Sequence, residues 1–291
     1  MKIRFLFTLA FTLGASVGGA QTKISRGIHL NADGAVRIYN LGGSVKVTGW
    51  NRDSVSVRGT LGKGSVLHMG GGNAGIKMFV EDMDERNPEP ATLEIFVPLK
   101  AKVWVKTATA GIEVGGVNGS LDLYVVSGPI TVSGDPTDVN AEAIDGSIRI
   151  NGTPSWIRAK SASGDVSFDG KSSDVTLSTV SGKVLVKGTQ FEKAKFESVT
   201  GDIRFDGSFE RGGLINFDSH SGTIDVGVIP TSSADFDIVS IAGVITNKLT
   251  SKRPVAGRYG RGSELTTSNG DGGSQVIVRS FKGPVSLRPT K

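Results

Sequence analysis

The sequence predicts an all-β fold, a parallel β-solenoid of 18–21-residue coils with an atypical N-terminal cap sheet. Three observations carry this. Glycine makes up 41 of 291 residues, about twice the usual share of roughly 7%, and short Val/Ile/Thr/Phe runs alternate with Gly, Asn, Asp and Ser where helical periodicity is missing. One phrase returns at KSASGDVSFDG (160–170), STVSGKVLVKG (178–188), ESVTGDIRFDG (197–207) and DSHSGTIDVGV (218–228). Outward charges also alternate in sign from one copy to the next.

The first element is a leader. MKIRFLFTLAFTLGASVGGAQ carries Lys2 and Arg4, an apolar run from Phe5 to Val17, and the small residues Gly18, Gly19 and Ala20. Charge, hydrophobic length and small-residue ending predict a secretory signal peptide over 1–20. The apolar run is short of the ~20 residues that a bilayer span needs, and no later segment approaches that length. The remaining residues, 21–291, are expected to form a single domain. Setting Lys2 and Arg4 aside leaves 31 basic against 28 acidic residues, a balance of +3 that does not argue for nucleic acid. With no cysteine, disulfides, thiolate metal sites, a Cys nucleophile and a lipid-modified Cys are excluded. The expected location is periplasmic, extracellular or at the cell surface.

Residues 22–100 form an irregular N-terminal part. VRIYNLGGSVKV holds one copy of the repeat, with Val36, Ile38, Gly43, Val45 and Val47 in the expected positions. The period is then lost, although 53–60, 74–82 and 91–98 read as strands. Terminal units of stacked repeats are atypical because they must cover an exposed core.

Residues 101–247 are the regular coils. Aligning on the small residue places Ala110, Gly128, Gly146, Gly164, Gly182, Gly201, Gly222 and Gly243 at steps of 18, 18, 18, 18, 19, 21 and 21, a spacing that signals stacked units. Apolar residues recur seven and five positions before the glycine and two and four after it, as in Val175, Leu177, Val184 and Val186. Spacing of two puts each pair on one face of a strand, so each unit supplies two half-buried strands. The longer steps lie beside Phe217 and Phe236, where a wider core needs more residues per coil.

Parallel stacking in register explains the charges. Asp165, Lys183 and Asp202 share one column, Asp169, Lys187 and Asp206 another, and Glu142 faces Lys160. At about 4.8 Å between rungs, opposite charges attract where like charges repel. Hairpins would not set these residues side by side. A left-handed β-helix of three six-residue sides is the alternative for an 18-residue coil, but the apolar positions do not fall at intervals of six. The glycine is expected at the corner between strands, in a backbone conformation that other residues resist. The preceding column Ser161, Thr179, Ser198, Ser219 and Ser240 is expected to satisfy turn amides.

Residues 248–263 are a basic insertion, and 264–291 supply closing strands that restore the register through Val276, Val278, Ser280, Gly283, Val285 and Leu287. The insertion carries Lys248, Lys252, Arg253, Arg258 and Arg261 with one aromatic, Tyr259, and no acidic residue. These six residues are the candidate ligand-binding set, for anionic envelope polysaccharide or lipid headgroups. A surface protein is the other partner considered. A solvated loop is the plainer reading of the same residues.

With these motifs in hand, the chain resembles a known family. GSVKVTGWNRDSVSVRG (43–59), LEIFVPLKAKVWVKTATAGIEVGG (93–116) and the Ser-Gly-x-Val/Ile-x-Val/Phe series are similar to the bacterial β-strand-repeat proteins catalogued as putative adhesins, whose shared domain has no established function. The resemblance implies an envelope-associated β-solenoid and supplies no catalytic residues.

Catalytic chemistry is not expected. His29, His68 and His220 lie in unrelated contexts, and no HExxH, GxSxG or phosphate-loop pattern occurs. No metal or cofactor is expected. The acidic stretch EDMDERNPE (81–89) could offer oxygens to a cation, but reads more simply as an exposed turn. The enzyme alternative is a polysaccharide lyase or hydrolase using Asp218, Asp225 or Asp237, since glycoside hydrolysis needs two carboxyl groups across a cleft.

Overall fold

The computed structural model describes residues 21–82, 84, 88–257 and 260–290. The expected signal peptide, together with Arg258 and Tyr259, lies outside the described residues. All 25 strands among the described residues join one continuous sheet, so the all-β expectation holds.

Two parallel ladders run through the molecule. The first contains β2 (Ala35–Asn40), β8 (Lys102–Thr107), β10 (Ser120–Val125), β12 (Asp138–Ala143), β14 (Trp156–Ser161) and β16 (Asp174–Thr179), followed by the C-terminal halves of β17 (Val184–Ser198) and β18 (Ile203–Ser219). The second contains β3 (Gly43–Trp50), β9 (Gly111–Gly115), β11 (Ile130–Gly134), β13 (Ile148–Gly152) and β15 (Val166–Lys171), then the N-terminal halves of β17 and β18, then β19 (Ile224–Val228). Register follows the repeat: Leu121, Val139, Ile157, Val175, Ala194 and Ile215 are neighbours across successive rungs. Asp169, Lys187 and Asp206 are likewise neighbours, as are Glu142 and Lys160. The apolar members of both columns are buried, forming one continuous core between the ladders.

Chain order and stacking order part company at both ends. At the C-terminal end, β20 (Ala234–Ser240) and β21 (Ile245–Asn247) do not lie on the coil that precedes them in sequence. The last coil, β24 (Gln275–Ser280) and β25 (Val285–Pro289), is inserted between. Gly243 therefore does not sit on Gly222, as the alignment expected; Gly283 sits on Gly222 and Gly243 on Gly283. Outside β20 lie two antiparallel strands, β23 (Ser263–Asn269) and β22 (Val255–Ala256). The N-terminal end repeats this plan. β2 and β3 pack directly on β8 and β9, while β6 (Gly75–Glu81) and β7 (Ala91–Pro98) cover them from outside. β5 (Val66–Gly72) runs antiparallel on β6 as a hairpin. β4 (Ser54–Leu61) and β1 (Thr22–His29) finish the second ladder antiparallel. The period is lost between residues 50 and 100 because that stretch builds the outer cover and not the next rung.

The extra residues in the 19- and 21-residue steps have a specific use. They continue β17 and β18 around the corner and bring in Phe191 and Phe209. Phe191 lies 5.7 Å from Phe205, Phe205 stacks on Phe209 at 5.1 Å, and Phe196 meets Phe217 at 5.1 Å. Such pairs add about 0.5–1.5 kcal/mol each beyond area burial.

The corner glycines correct one expectation. Gly146, Gly164, Gly182, Gly201 and Gly222 all have negative φ, so freedom to adopt a left-handed backbone is not their role. Room is. A Cβ on Gly146 would lie 1.8 Å from the carbonyl oxygen of Gly128, and one on Gly201 would lie 1.7 Å from that of Gly182. Positive φ appears instead at the opposite corner, at Gly116 (65°) and Gly134 (109°), in a second glycine column that the sequence alignment did not single out. The hydroxyl column acts as expected: Ser161 Oγ donates to the Gly146 carbonyl (2.9 Å) and accepts from the Gly164 amide (2.9 Å), and Thr179 repeats the pattern one rung on.

Candidate functional site

The corner chemistry also shapes a groove. At each rung of the first ladder, the last strand residue (Thr179, Ser198, Ser219 or Ser280) is small and turns inward. The residues on either side of it turn outward and rise as two walls. One wall is mainly polar, with Ser178, Glu197, Asp218 and Arg279 on consecutive rungs and the apolar Val239 on the rung beyond. The other is apolar, with Val180, Val199, His220, Phe281 and Ile241. Backbone hydrogen bonds of 2.8–2.9 Å join its members rung to rung, from Thr200 to Val180, Ser221 to Val199, Lys282 to His220 and Ala242 to Phe281. Between the walls is an open groove of about 660 Å³.

Its aromatic ledge is the His220–Phe281 pair, stacked with ring centres 4.9 Å apart and planes 14° from parallel. Phe281 is 46% exposed, Val199 45% and Ile241 53%, an apolar surface that water would not favour unless something covers it. On the facing wall most charges are matched. Lys195 holds Glu197 at 2.7 Å, and Arg279 holds Asp237 at 2.6 Å while also donating to the Asp237 carbonyl at 2.8 Å. Asp218 has no ion pair among the described residues. Burial raises its pKa above the ordinary carboxylate value, Glu197 on the next rung adds to the rise, and Lys195 and Arg279 oppose it.

The three carboxylates considered for catalysis are thus separated in kind. Asp225 is gripped by Arg288, with Nε at 2.9 and 3.0 Å and Nη2 at 2.8 Å, and Arg288 also reaches Asp206 at 2.9 Å. Asp237 is bound to Arg279. Asp218 alone faces the groove beside a second carboxylate, Glu197, which the sequence reading did not name.

The basic segment lies at the C-terminal end of the stack. Asn247 organises it: its Oδ1 accepts from the amides of Leu249 (3.1 Å) and Thr250 (3.2 Å), and its Nδ2 donates to Thr250 Oγ1 (2.7 Å) and the Lys252 carbonyl (2.8 Å). Leu249 packs against the core, and Thr250 bonds Thr267 at 2.9 Å. Lys248, Lys252, Arg253 and Arg261 are exposed and form no ion pair among the described residues. Part of the insertion is therefore an end cover of the core, with its cations turned to solvent. The groove was missed in the sequence because the column two residues before each glycine was not read. Its recurrence of Val126, Ile144, Val180, Val199 and Ile241 in a turn position was the available signal.

Among the described residues no helix is long and apolar enough to cross a membrane. No family model and no curated protein matches the chain. Similar solved structures include a putative adhesin from Bacteroides fragilis, at 12% identity over 92% of this chain and 98% of that one, with a TM-score of 0.49. A putative adhesin from Parabacteroides distasonis matches at 10% identity, 92% and 98% coverage and a TM-score of 0.41. A putative lipid binding protein from the same species matches at 13% identity, 92% and 97% coverage and a TM-score of 0.41.

Proposed function

We propose that this chain is an exported, non-catalytic protein of the cell envelope, a β-solenoid over residues 21–291 that adheres to a polymer or surface. The signal-peptide pattern of residues 1–20 supports export to the periplasm or cell surface. The in-register ladders support the solenoid reading. The observation that carries a binding role is the set of exposed cations Lys248, Lys252, Arg253 and Arg261 on one end of the stack, held there by Asn247. Arg258 and Tyr259 complete this set in the sequence. Its ligand is an anion presented by an envelope polysaccharide or by lipid headgroups. The test is binding of the full chain to lipopolysaccharide and, separately, to vesicles with and without phosphatidylglycerol, across a salt series. Screening weakens exposed charge contacts as salt rises. Neutralising the four described cations is expected to lower affinity at least about tenfold; unchanged affinity removes the end cover from the reading.

One observation favours a second reading as a carbohydrate-active enzyme. Glu197 and Asp218 stand on neighbouring rungs of one wall of the groove, and hydrolysis uses two carboxyl groups, set on either side of the scissile bond. Product analysis on the same polysaccharides decides it: chain shortening that Asp218→Asn abolishes would make the protein an enzyme.

A further inference from the structure

The groove has a chemistry of its own, different from that of the basic end. One wall is an aromatic and aliphatic ledge, the other carries the hydrogen-bonding side chains Ser178, Glu197, Asp218 and Arg279 on successive rungs. Three features define what fits. The groove is open and runs along the stack, which suits a segment of a linear chain and not a small enclosed molecule. The charges of its polar wall are already matched, Glu197 by Lys195 and Arg279 by Asp237, apart from Asp218. This selects against an anionic ligand. The remaining groups, Asp218 as acceptor, Ser178 as donor or acceptor, and the N–H groups of Arg279 not given to Asp237 or Val278, suit hydroxyl groups. The stacked His220–Phe281 ledge suits a flat face carrying C–H groups. A sugar ring presents both surfaces at once, C–H groups on its faces and hydroxyls around its rim.

We infer that the groove between Phe281 and Asp218 binds an uncharged linear polysaccharide, with the His220–Phe281 ledge under a sugar ring and Asp218 and Arg279 on its hydroxyls. The groove reaches Ile241, whose carbonyl lies against Gly262 of the basic segment, so a bound chain would run toward the end cover. The inference rests on the polymer-binding reading and assigns it a second site and a ligand class.

The test is affinity electrophoresis of the full chain in gels containing hydroxyethyl cellulose, galactomannan or laminarin, with lipopolysaccharide binding measured in parallel. At least one uncharged polymer is expected to retard the protein. Phe281→Ala and, independently, Asp218→Ala are expected to raise its dissociation constant about tenfold or more. Lys23→Ala, an exposed cation on β1 at the opposite end of the stack, should leave it unchanged. Both groove substitutions are at solvent-accessible positions, and thermal unfolding checks that each variant is folded. Retardation that persists equally in both groove variants overturns the groove assignment and leaves polymer binding standing. Lipopolysaccharide binding with no retardation by any uncharged polymer overturns the ligand class. Failure of the wild-type protein in both assays removes the binding reading itself.

Discussion

Replacing Gly201 by alanine tests why the repeat is punctuated by glycine. Its new Cβ would lie 1.7 Å from the Gly182 carbonyl oxygen and 2.6 Å from the carbonyl carbon. Side-chain carbons do not approach backbone oxygens closer than about 3 Å, so the two rungs must separate locally by more than 1 Å. That strains the bond from the Gly201 amide to Ser198 Oγ (2.9 Å) and the bond from the Thr200 amide to the Val180 carbonyl (2.8 Å). Overpacking of this kind costs about 1–3 kcal/mol, and each weakened hydrogen bond adds up to roughly 1 kcal/mol. The expected loss is therefore about 2–4 kcal/mol. Gly212 is the control. It has φ of +81°, and a Cβ there meets nothing within 4 Å. Gly212→Ala should cost only the left-handed conformation, about 1–2 kcal/mol. Urea unfolding followed by far-ultraviolet circular dichroism measures both. If Gly212→Ala costs as much as Gly201→Ala or more, close approach between rungs is not what the corner column provides.

Three further outcomes follow from particular contacts. Arg288→Met leaves Asp206 and Asp225 without their shared partner and should cost about 1–3 kcal/mol; a double-mutant cycle with Asp225→Asn should recover part of it, and strict additivity would mean the three groups are not coupled. Asp218 holds its proton more tightly when folded than when unfolded. Its contribution is therefore fully present below the ordinary carboxylate value and is lost as pH rises through the folded value. Asp218→Asn should make the protein slightly more stable at neutral pH with no gain in strong acid, and a gain independent of pH would contradict the assigned cause. Ending the chain after Ser274 removes β24 and β25 and leaves β18/β19 facing β20/β21 across an empty rung. Hydrogen exchange at Ile215, Phe217, Ile224 and Val226 should accelerate strongly, and unchanged protection would show that the inserted coil does not hold that end together.

What could be read from the sequence was whatever depends on a column. Val175, Leu177, Val184 and Val186 declare two inward strands per unit, and Asp169, Lys187 and Asp206 declare the parallel register, because in-register stacking makes sequence period and spatial neighbour the same thing. The order of rungs at the ends was not legible for the same reason. Gly222, Gly243 and Gly283 carry identical corner chemistry, so periodicity alone cannot say which of the last two sits on Gly222. The role of Gly201 was misassigned because a glycine needed for room and one needed for positive φ are the same letter. The groove escaped because its apolar wall, including Val199 and Phe281, comes from the turn and not from the strands, where apolar residues are usually sought. Phe281 becomes a neighbour of His220 only through the inserted coil, 61 residues later in the chain.

The ends of the stack bear on where a partner can bind. A parallel ladder that simply stopped would offer its last strand as a template for another chain. Here three of the four ladder ends turn antiparallel before they stop, and the fourth is the short parallel strand β21. At the C-terminal end the outermost strands are β21, with three residues, and β22, with two, too short to template pairing. At the N-terminal end the outermost strands are β5 and β1; β1 places Lys23 and Arg26 on its edge, where charge opposes further pairing, and Arg26 donates to the Leu67 carbonyl of β5. Growth of the stack by addition of a second copy is thus opposed at β1, β21 and β22. The long sides remain, and there each rung presents outward side chains at about 4.8 Å from the next. Repetition of that kind adds weak contacts along a ligand that itself repeats, whereas a ligand occupying a single rung gains one contact only. The architecture therefore favours an extended polymer lying along the groove over a compact molecule held at one point.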